Sequence, residues 1–552
     1  MMQTRRRFAQ LSLGALAAAC AAREPSDIII RGGAIYTGAP NKPRVDAIRI
    51  TNGLFAAVGT LEEARAAGPA REIDLRGAAA FPGFVDGHVH LMGVGMAAMV
   101  LDLVGVESIA ALQERLRTYA AQHSEGPILG RGWIETHWPE ARFPNRADLD
   151  AVVGDRPVLL ERVDGHAAIA NSAALTLATI DNNTANPDGG SIERDATGAA
   201  TGMLIDNAVN LVASRMPAST DAQRRDALRQ AAQLYAQRGW TGVANMSTSA
   251  SEAELFQSFA QSGGLPLHAD IYLTPEDSSS VFERGPYADR SGLVNVRGVK
   301  LYMDGALGSR GAALLQPYSD AAGNGLLVTP VETIRDFLNR ARQRGVQVAT
   351  HAIGDRGNRL VLDGYRDTFG EDRDGLRRAR WRIEHSQVIS PQDLPRFSQM
   401  GVIASMQPSH AISDLYFAPA RLGASRLAGA YAWKSLLNSG AVIAAGSDAP
   451  VEKGDPLIEF YAAAYRHDLQ GAAGADWNPS EAVSREEALR MLTWGPAFAA
   501  FQEQERGTIE VGKRADVSCF SVDLMQAEFS AIPTAQAVLT VSDGRITHNA
   551  LG

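Results

Sequence analysis

The chain has 552 residues, 45% hydrophobic and 21% charged, with a formal net charge of -9. That length exceeds one minimal core, and an acidic balance with no basic stripe in the body argues against a nucleic-acid partner. Beyond the N-terminus no apolar run reaches bilayer length, and no repeat of solenoid period stands out.

The chain opens with Thr4-Arg-Arg-Arg-Phe8 and an apolar stretch from Leu11 to Ala22. This reads as a twin-arginine export signal over residues 1–25, which predicts a periplasmic protein or a membrane-anchored lipoprotein. Cys20 follows Leu16-Ala-Ala-Ala19, a loose lipoprotein cleavage site with Ala17 where a larger apolar residue is usual, so a lipid anchor at Cys20 stays open. The only other cysteine is Cys519, which leaves little scope for a disulfide in the mature chain.

Short strand signals follow at Asp27–Tyr36, Asp46–Ile50 and Leu54–Gly59, with turn residues such as Asn52-Gly53 between them. Similar signals return at Gly507–Phe520 and Ala537–Ile546. Together they predict one small β-sandwich domain built from both chain ends, residues 26–80 and 499–552.

The next run, Phe81-Pro-Gly-Phe-Val-Asp-Gly-His-Val-His90, is apolar and ends in two histidines one residue apart. On a strand, alternate side chains share a face, so His88 and His90 point the same way and can grip one metal ion. Seven further buried strands are expected, near 241–246, 267–272, 296–302, 346–351, 381–385, 402–406 and 442–448. Amphipathic helices at Asp221–Gln237 and Val331–Arg344 separate some of them. Eight strands at this spacing predict an α/β fold of the (β/α)8 TIM-barrel kind over residues 81–498. The excess sequence after the first strand predicts an inserted subdomain at about 95–220.

Barrel enzymes carry their chemistry at the C-terminal strand ends. Those ends hold His88 and His90, then Lys300, His351, His385 and Asp448. Singly, each has an ordinary explanation: a buried histidine, a helix cap for Asp448, an ion-pair partner for Lys300. Recurrence at one end of successive strands points instead to a shared site.

With these motifs the chain resembles the amidohydrolase superfamily, in the amidohydrolase family 3 branch of N-substituted formamide deformylase-like proteins. The matching segments are Pro82–His90, Val299–Arg310, His351–Asp355, Arg382–His385 and Gly446–Pro450, with Asp164-Gly-His-Ala-Ala-Ile-Ala-Asn-Ser172 as the insertion signature. The resemblance implies a hydrolase acting on a small molecule, cleaving a non-peptide amide or formamide carbon–nitrogen bond. Ester, lactone or cyclic-amide hydrolysis, or a non-catalytic ligand-binding surface lipoprotein, remain as alternatives. It further implies one or two divalent ions, zinc by preference. His88, His90 and Asp448 would hold one ion and His351 and His385 the second. Lys300 would bridge them as a carboxylated lysine, since an ammonium has no acceptor lone pair. A metal lowers the pKa of bound water to about 7, which supplies hydroxide for attack. Asp448 would move its proton to the leaving nitrogen. His166 would donate to the substrate oxygen, or else pin the insertion to the barrel. Trp133, Tyr302 and Arg310 are candidate substrate contacts, with packing as the alternative for the aromatics and a structural role for Arg310, Asp304 and Asp355; Asp355 is also a candidate helix cap. Barrels of this type commonly dimerise, so a homodimer is open as well.

Overall fold

The computed structural model describes residues 27–135, 138–163, 165, 167–187, 190–217, 219–469, 471 and 477–552. The N-terminal segment with Cys20 lies outside these residues, as do Asp164 and His166 of the insertion signature. Among the described residues no helix is long and apolar enough to cross a membrane.

Eight parallel strands follow one another in sequence order around a nearly closed sheet. They are β1 (Phe84–Val89), β2 (Trp240–Thr248), β3 (His268–Leu273), β4 (Val294–Tyr302), β5 (Gln347–Ala352), β6 (Arg382–His385), β7 (Ile403–Met406) and β8 (Ile443–Ala445). Helices pack outside. The helix Val331–Arg344 buries Ile334, Leu338 and Ala341 on one stripe and stops at Gly345 with φ 63°. The helix Asp221–Arg238 starts at a reciprocal Thr220–Gln223 cap and ends at Gly239 with φ 100°.

The barrel interior is polar. Tyr272 donates to Gln347 Oε1 (2.8 Å), and Arg506 reaches Asp270 Oδ2 (2.7 Å). Arg382 crosses the interior to Glu384, Ser405 Oγ and the Gly87 carbonyl, at 2.7 Å for each closest contact. The large apolar cluster lies between strands and helices, so these strands are buried on both faces.

Strands from both chain ends form a second sheet, in the order Arg545–Asn549, Ala537–Ser542, Val517–Phe520, Ala79–Pro82, Ile28–Tyr36, Arg44–Thr51, Leu54–Gly59, with Arg71–Asp74 beside Ile28–Tyr36. Ile30, Ile48, Phe55, Val517, Cys519 and Leu539 share one apolar cluster across it. A third, six-stranded sheet is built between β1 and β2, from Leu101–Asp102 to Ala200–Asp206.

The apolar run at Phe81 does not begin the barrel. Ala79–Pro82 pairs with Val517–Phe520 in the terminal sheet, and only Phe84–Val89 pairs with β2. The apolar run over residues 81–85 carries straight across the change of sheet because each strand is buried on both faces. The switch falls at Gly83, whose N–H donates to the Asp516 carbonyl at 2.8 Å. A Cβ there would lie 2.3 Å from Thr241 Oγ1 and 2.6 Å from Asp516 Cβ. Gly83→Ala is therefore expected to destabilise the chain by about 1–3 kcal/mol through overpacking. A lower urea midpoint at unchanged slope checks this, and an unchanged midpoint contradicts it.

Candidate metal centre and its cavity

Two backbone contacts bring the last strand's continuation against the first. Asp448 N–H donates to the His88 carbonyl (2.7 Å) and His90 N–H to the Ala449 carbonyl (2.9 Å). Asp448 sits at φ 59° and His385 at φ 73°, left-handed conformations that a non-glycine residue adopts only where its surroundings hold it.

His88 is fully buried and places Nδ1 2.6 Å from Glu384 Oε2. Asp448 Oδ1 lies 3.4 Å from His88 Nε2 and 3.3 Å from His90 Nε2. His90 directs Nδ1 at the Met246 carbonyl, 3.2 Å away. A carboxylate and a carbonyl only accept, so both imidazoles carry their proton on Nδ1 and turn a bare Nε2 lone pair toward Asp448. Two lone pairs and a carboxylate oxygen repel at this separation unless a cation or proton lies between them. Two imidazole nitrogens with one carboxylate form a donor set suited to a divalent ion. The described residues therefore fit a metal.

Asp448 also faces a second group. Its Oδ2 is 3.7 Å from His410 Nε2, and His385, His410 and Asp448 form a second set able to hold an ion. His385 directs Nδ1 at Gln407 Oε1, 2.8 Å away. His351 packs its ring 4.5 Å from that of His385, centroid to centroid, with Nε2 3.6 Å from Asp304 Oδ1. Lys300 Nζ is 3.5 Å from His88 Nε2 and 4.9 Å over the Tyr302 ring. The six strand-end residues do come together at one mouth. Grouping by distance, however, sets His410 beside His385 and Asp448 and leaves His351 outside both ligand sets.

Electrostatics favour lone pairs over charged rings at His351 and His385. Burial, with Lys300 nearby, pushes His351 down to about 3. Burial and the neighbouring His351 hold His385 well below its ordinary value. Burial would raise Asp448, but positive charge and hydrogen bonding from the side of His88 and His90 outweigh it and keep the carboxyl well below the usual range; with both rings neutral, only a cation held between them fills that part. Burial would likewise raise Glu384, and Arg382 with His88 overrides it. Neutral imidazoles and ionised carboxylates are the forms that bind metal.

A cavity of about 760 Å³ opens above this cluster. Its lining combines polar His90, Lys300, Tyr302, His351, His385, His410 and Asp448 with apolar Ile134, Val163, Leu307, Ile353, Phe417 and Val451. Burial pushes two further lining carboxyls up, Asp414 to about 6 and Glu452 to about 7.

Other expected contacts fall elsewhere. Tyr302 reaches the cavity and bonds Ser247 Oγ at 2.5 Å. Trp133 does not: it is fully buried in the apolar cluster of the six-stranded sheet, its indole N–H donating to the Leu160 carbonyl at 2.8 Å. The next residue, Ile134, is the one that lines the cavity. Arg310 pairs with Asp320 at 2.9 Å away from the cavity lining. Asp304 has the structural role anticipated, accepting from the N–H groups of Ala313, Ile353 and Gly354 at 2.8–2.9 Å. Asp355 is the first residue of its helix rather than the cap, which is Gly354, and accepts from Leu315 N–H at 2.8 Å. His166 lies outside the described residues.

Sequence reasoning missed Glu384, Gln407 and His410. Glu384 shares its strand face with Arg382, a period-two signal within the Arg382–His385 motif. His410 lies beyond the end of β7, on the short helix Pro408–Ser413, where a search of strand ends alone does not look.

The chain matches the amidohydrolase family over residues 71–548. It is 33% identical over 534 residues to the YtcJ protein of Bacillus subtilis (strain 168), covering 94% of this chain and 99% of that one. It is 29% identical over 558 residues to the N-substituted formamide deformylase of Arthrobacter pascens, covering 95% and 99%. Among solved structures it is similar to an uncharacterized metal-dependent hydrolase from Pyrococcus horikoshii OT3, at TM-score 0.78 and 27% identity, over 91% of this chain and 99% of the other.

Glu384 anchors His88 and balances Arg382, so Glu384→Gln is expected to weaken divalent-metal affinity by about 10–100-fold. Competition against a chromophoric chelator measures this. Unchanged affinity would show that His88 holds its orientation without the anionic anchor.

Proposed function

The chain belongs to the amidohydrolase family, and from that premise we propose that it cleaves the carbon–nitrogen bond of a small non-peptide amide or formamide. The observation that carries the reading is the convergence of His88, His90 and His410 on the two oxygens of Asp448 at the floor of the cavity. The apolar walls suit the organic substituent of such an amide, and a formamide deformylase stands among the chain's relatives.

His88, His90 and Asp448 would hold one divalent ion, which we take to be zinc, with His351 and His385 beside Lys300 at a second position. Lys300 would serve there as a carboxylated lysine. When bound, the metal supplies Lewis acidity and lowers the pKa of a water. Asp448 accepts the proton of the attacking water and carries it to the leaving nitrogen, a transfer of acid–base type. Glu384 keeps His88 in one tautomer, and the Met246 carbonyl does the same for His90. Ile134, Val163 and Val451 exclude bulk water from the reacting carbonyl once a substrate fills the mouth. His166 remains our candidate donor to the substrate oxygen. Around this centre we read residues 26–80 with 499–552 as a small β-sandwich domain and about 95–220 as a subdomain inserted in the barrel. Residues 1–25 we read as an export signal, which would place the protein in the periplasm or on a lipid anchor at Cys20.

Chelation is expected to abolish hydrolysis of N-substituted formamides, with activity restored by zinc. Full turnover by protein shown metal-free in elemental analysis would overturn the reading. Asp448→Asn keeps one ligating oxygen and loses the proton acceptor. It is expected to retain metal while kcat falls by about 10²–10⁴-fold. Turnover at the parent rate with full metal content would make Asp448 a ligand only.

A further inference from the structure

The upper wall of the cavity carries a pair of carboxylates that the hydrolytic reading leaves unused. Asp414 Oδ2 accepts from Gln387 Nε2 (2.6 Å) and from the Tyr431 hydroxyl (2.5 Å). Glu452 Oε1 accepts from Ser413 Oγ (2.6 Å). The second oxygen of each, Asp414 Oδ1 and Glu452 Oε2, takes no hydrogen bond from any described residue, and both side chains line the cavity. Of the basic side chains that line it, Arg162 pairs with Glu135, and Lys300 lies beside His88 at the position assigned to a carboxylated lysine.

An independent observation at the same wall points to a ligand. His410 is only 8% exposed and lines the cavity, yet its Nε2 reaches no hydrogen-bond partner. A buried polar atom left unsatisfied is costly, and a bound group relieves that cost. The position of His410 is itself held, because Ser409 N–H donates to the buried Glu459 Oε2 at 2.9 Å. Around the mouth stand exposed apolar side chains, Val451 at 66%, Val163 at 42% and Ile134 at 40%. A carbon chain fits such a mouth, and a donor-rich cationic end fits the two open carboxylate oxygens.

We propose that Asp414 and Glu452, which line the cavity together with His410, receive an ammonium group of the substrate. The substrates are then amides whose amine portion carries a second, protonated nitrogen at the end of a short carbon chain. This rests on the amide-hydrolase reading above and adds the substrate class to it. Charge-assisted hydrogen bonds in a partly enclosed pocket are the strong ones, so the preference is large enough to measure.

The test uses full-length metal-loaded protein and two formamides of matched length, N-formyl-1,4-diaminobutane and N-pentylformamide, in which a methyl replaces the ammonium. The parent is expected to favour the cationic substrate by at least about tenfold in kcat/KM, equivalent to 1.4 kcal/mol. Glu452→Gln keeps an acceptor for Ser413 and is expected to reduce that ratio by about tenfold, with Asp414→Asn as a second variant. A parent ratio near one, or a ratio that survives both substitutions, overturns the proposal. Calorimetric binding of 1,4-diaminobutane separates this inference from the choice of bond. If neither formamide turns over but the diamine binds and Glu452→Gln weakens it, the ammonium subsite stands and the amide reading falls. If the parent does not bind the diamine, the subsite falls.

Discussion

The site depends on how closely the first and last strands of the barrel approach. Asp86, buried within β1, accepts from Ser447 N–H (2.8 Å), Ser447 Oγ (2.6 Å), His88 N–H (3.2 Å) and the Tyr235 hydroxyl (3.2 Å). Two glycines permit the contact. A Cβ on Gly87 would lie 2.5 Å from the Ala445 carbonyl oxygen, and one on Gly446 would lie 2.2 Å from His88 N. Segments distant in sequence are thus clamped backbone to backbone, and the residue two positions beyond Gly446 is Asp448. Nothing looser would bring its carboxylate against both imidazoles.

Below this seam, charge is handed upward through the barrel. Arg382 is fully enclosed and meets Glu384 through two nitrogens at 2.7 and 2.9 Å, and Glu384 passes its anionic field to His88. A buried ion pair adds little stability compared with apolar packing, but removing one partner leaves a charge stranded at a cost of about 3–5 kcal/mol. The pair is better understood as orienting His88 than as holding the barrel shut. The polar filling of the interior, through Tyr272, Gln347 and Ser405, satisfies the remaining donors of Arg382 or their neighbours. This explains why strands with apolar outer faces carry polar residues at alternate positions.

Much of this was legible in the sequence, and the failures have physical causes. Doubly buried parallel strands announce themselves as apolar runs ending in polar residues, so all eight barrel strands were found. The same property hid the change of sheet at Gly83, because hydrophobicity does not say which sheet a strand joins. The strand ends His88, His90, Lys300, His351, His385 and Asp448 were readable because fold geometry puts them at one mouth. His410 was not, since it reaches that mouth from a helix after the strand. Trp133 takes the packing role rather than the substrate contact for a related reason. Beside an apolar cavity, aromatic character does not distinguish a wall from the core behind it, and here the adjacent Ile134 faces the cavity.

Asp448 joins two parts of the site that could otherwise act separately. One oxygen faces His88 and His90 and the other faces His410, which in turn lies near Asp414 in the cavity wall. A carboxylate whose two oxygens serve different neighbours cannot rotate toward one without loosening the other. Its left-handed backbone and the Asp448 N–H bond to the His88 carbonyl fix the main chain from which that side chain reaches. Positive charge gathered at the first pair therefore draws Oδ1 and alters the field that His410 experiences through Oδ2. Metal retention and the disposition of a substrate along the upper wall are, on this geometry, coupled through one side chain.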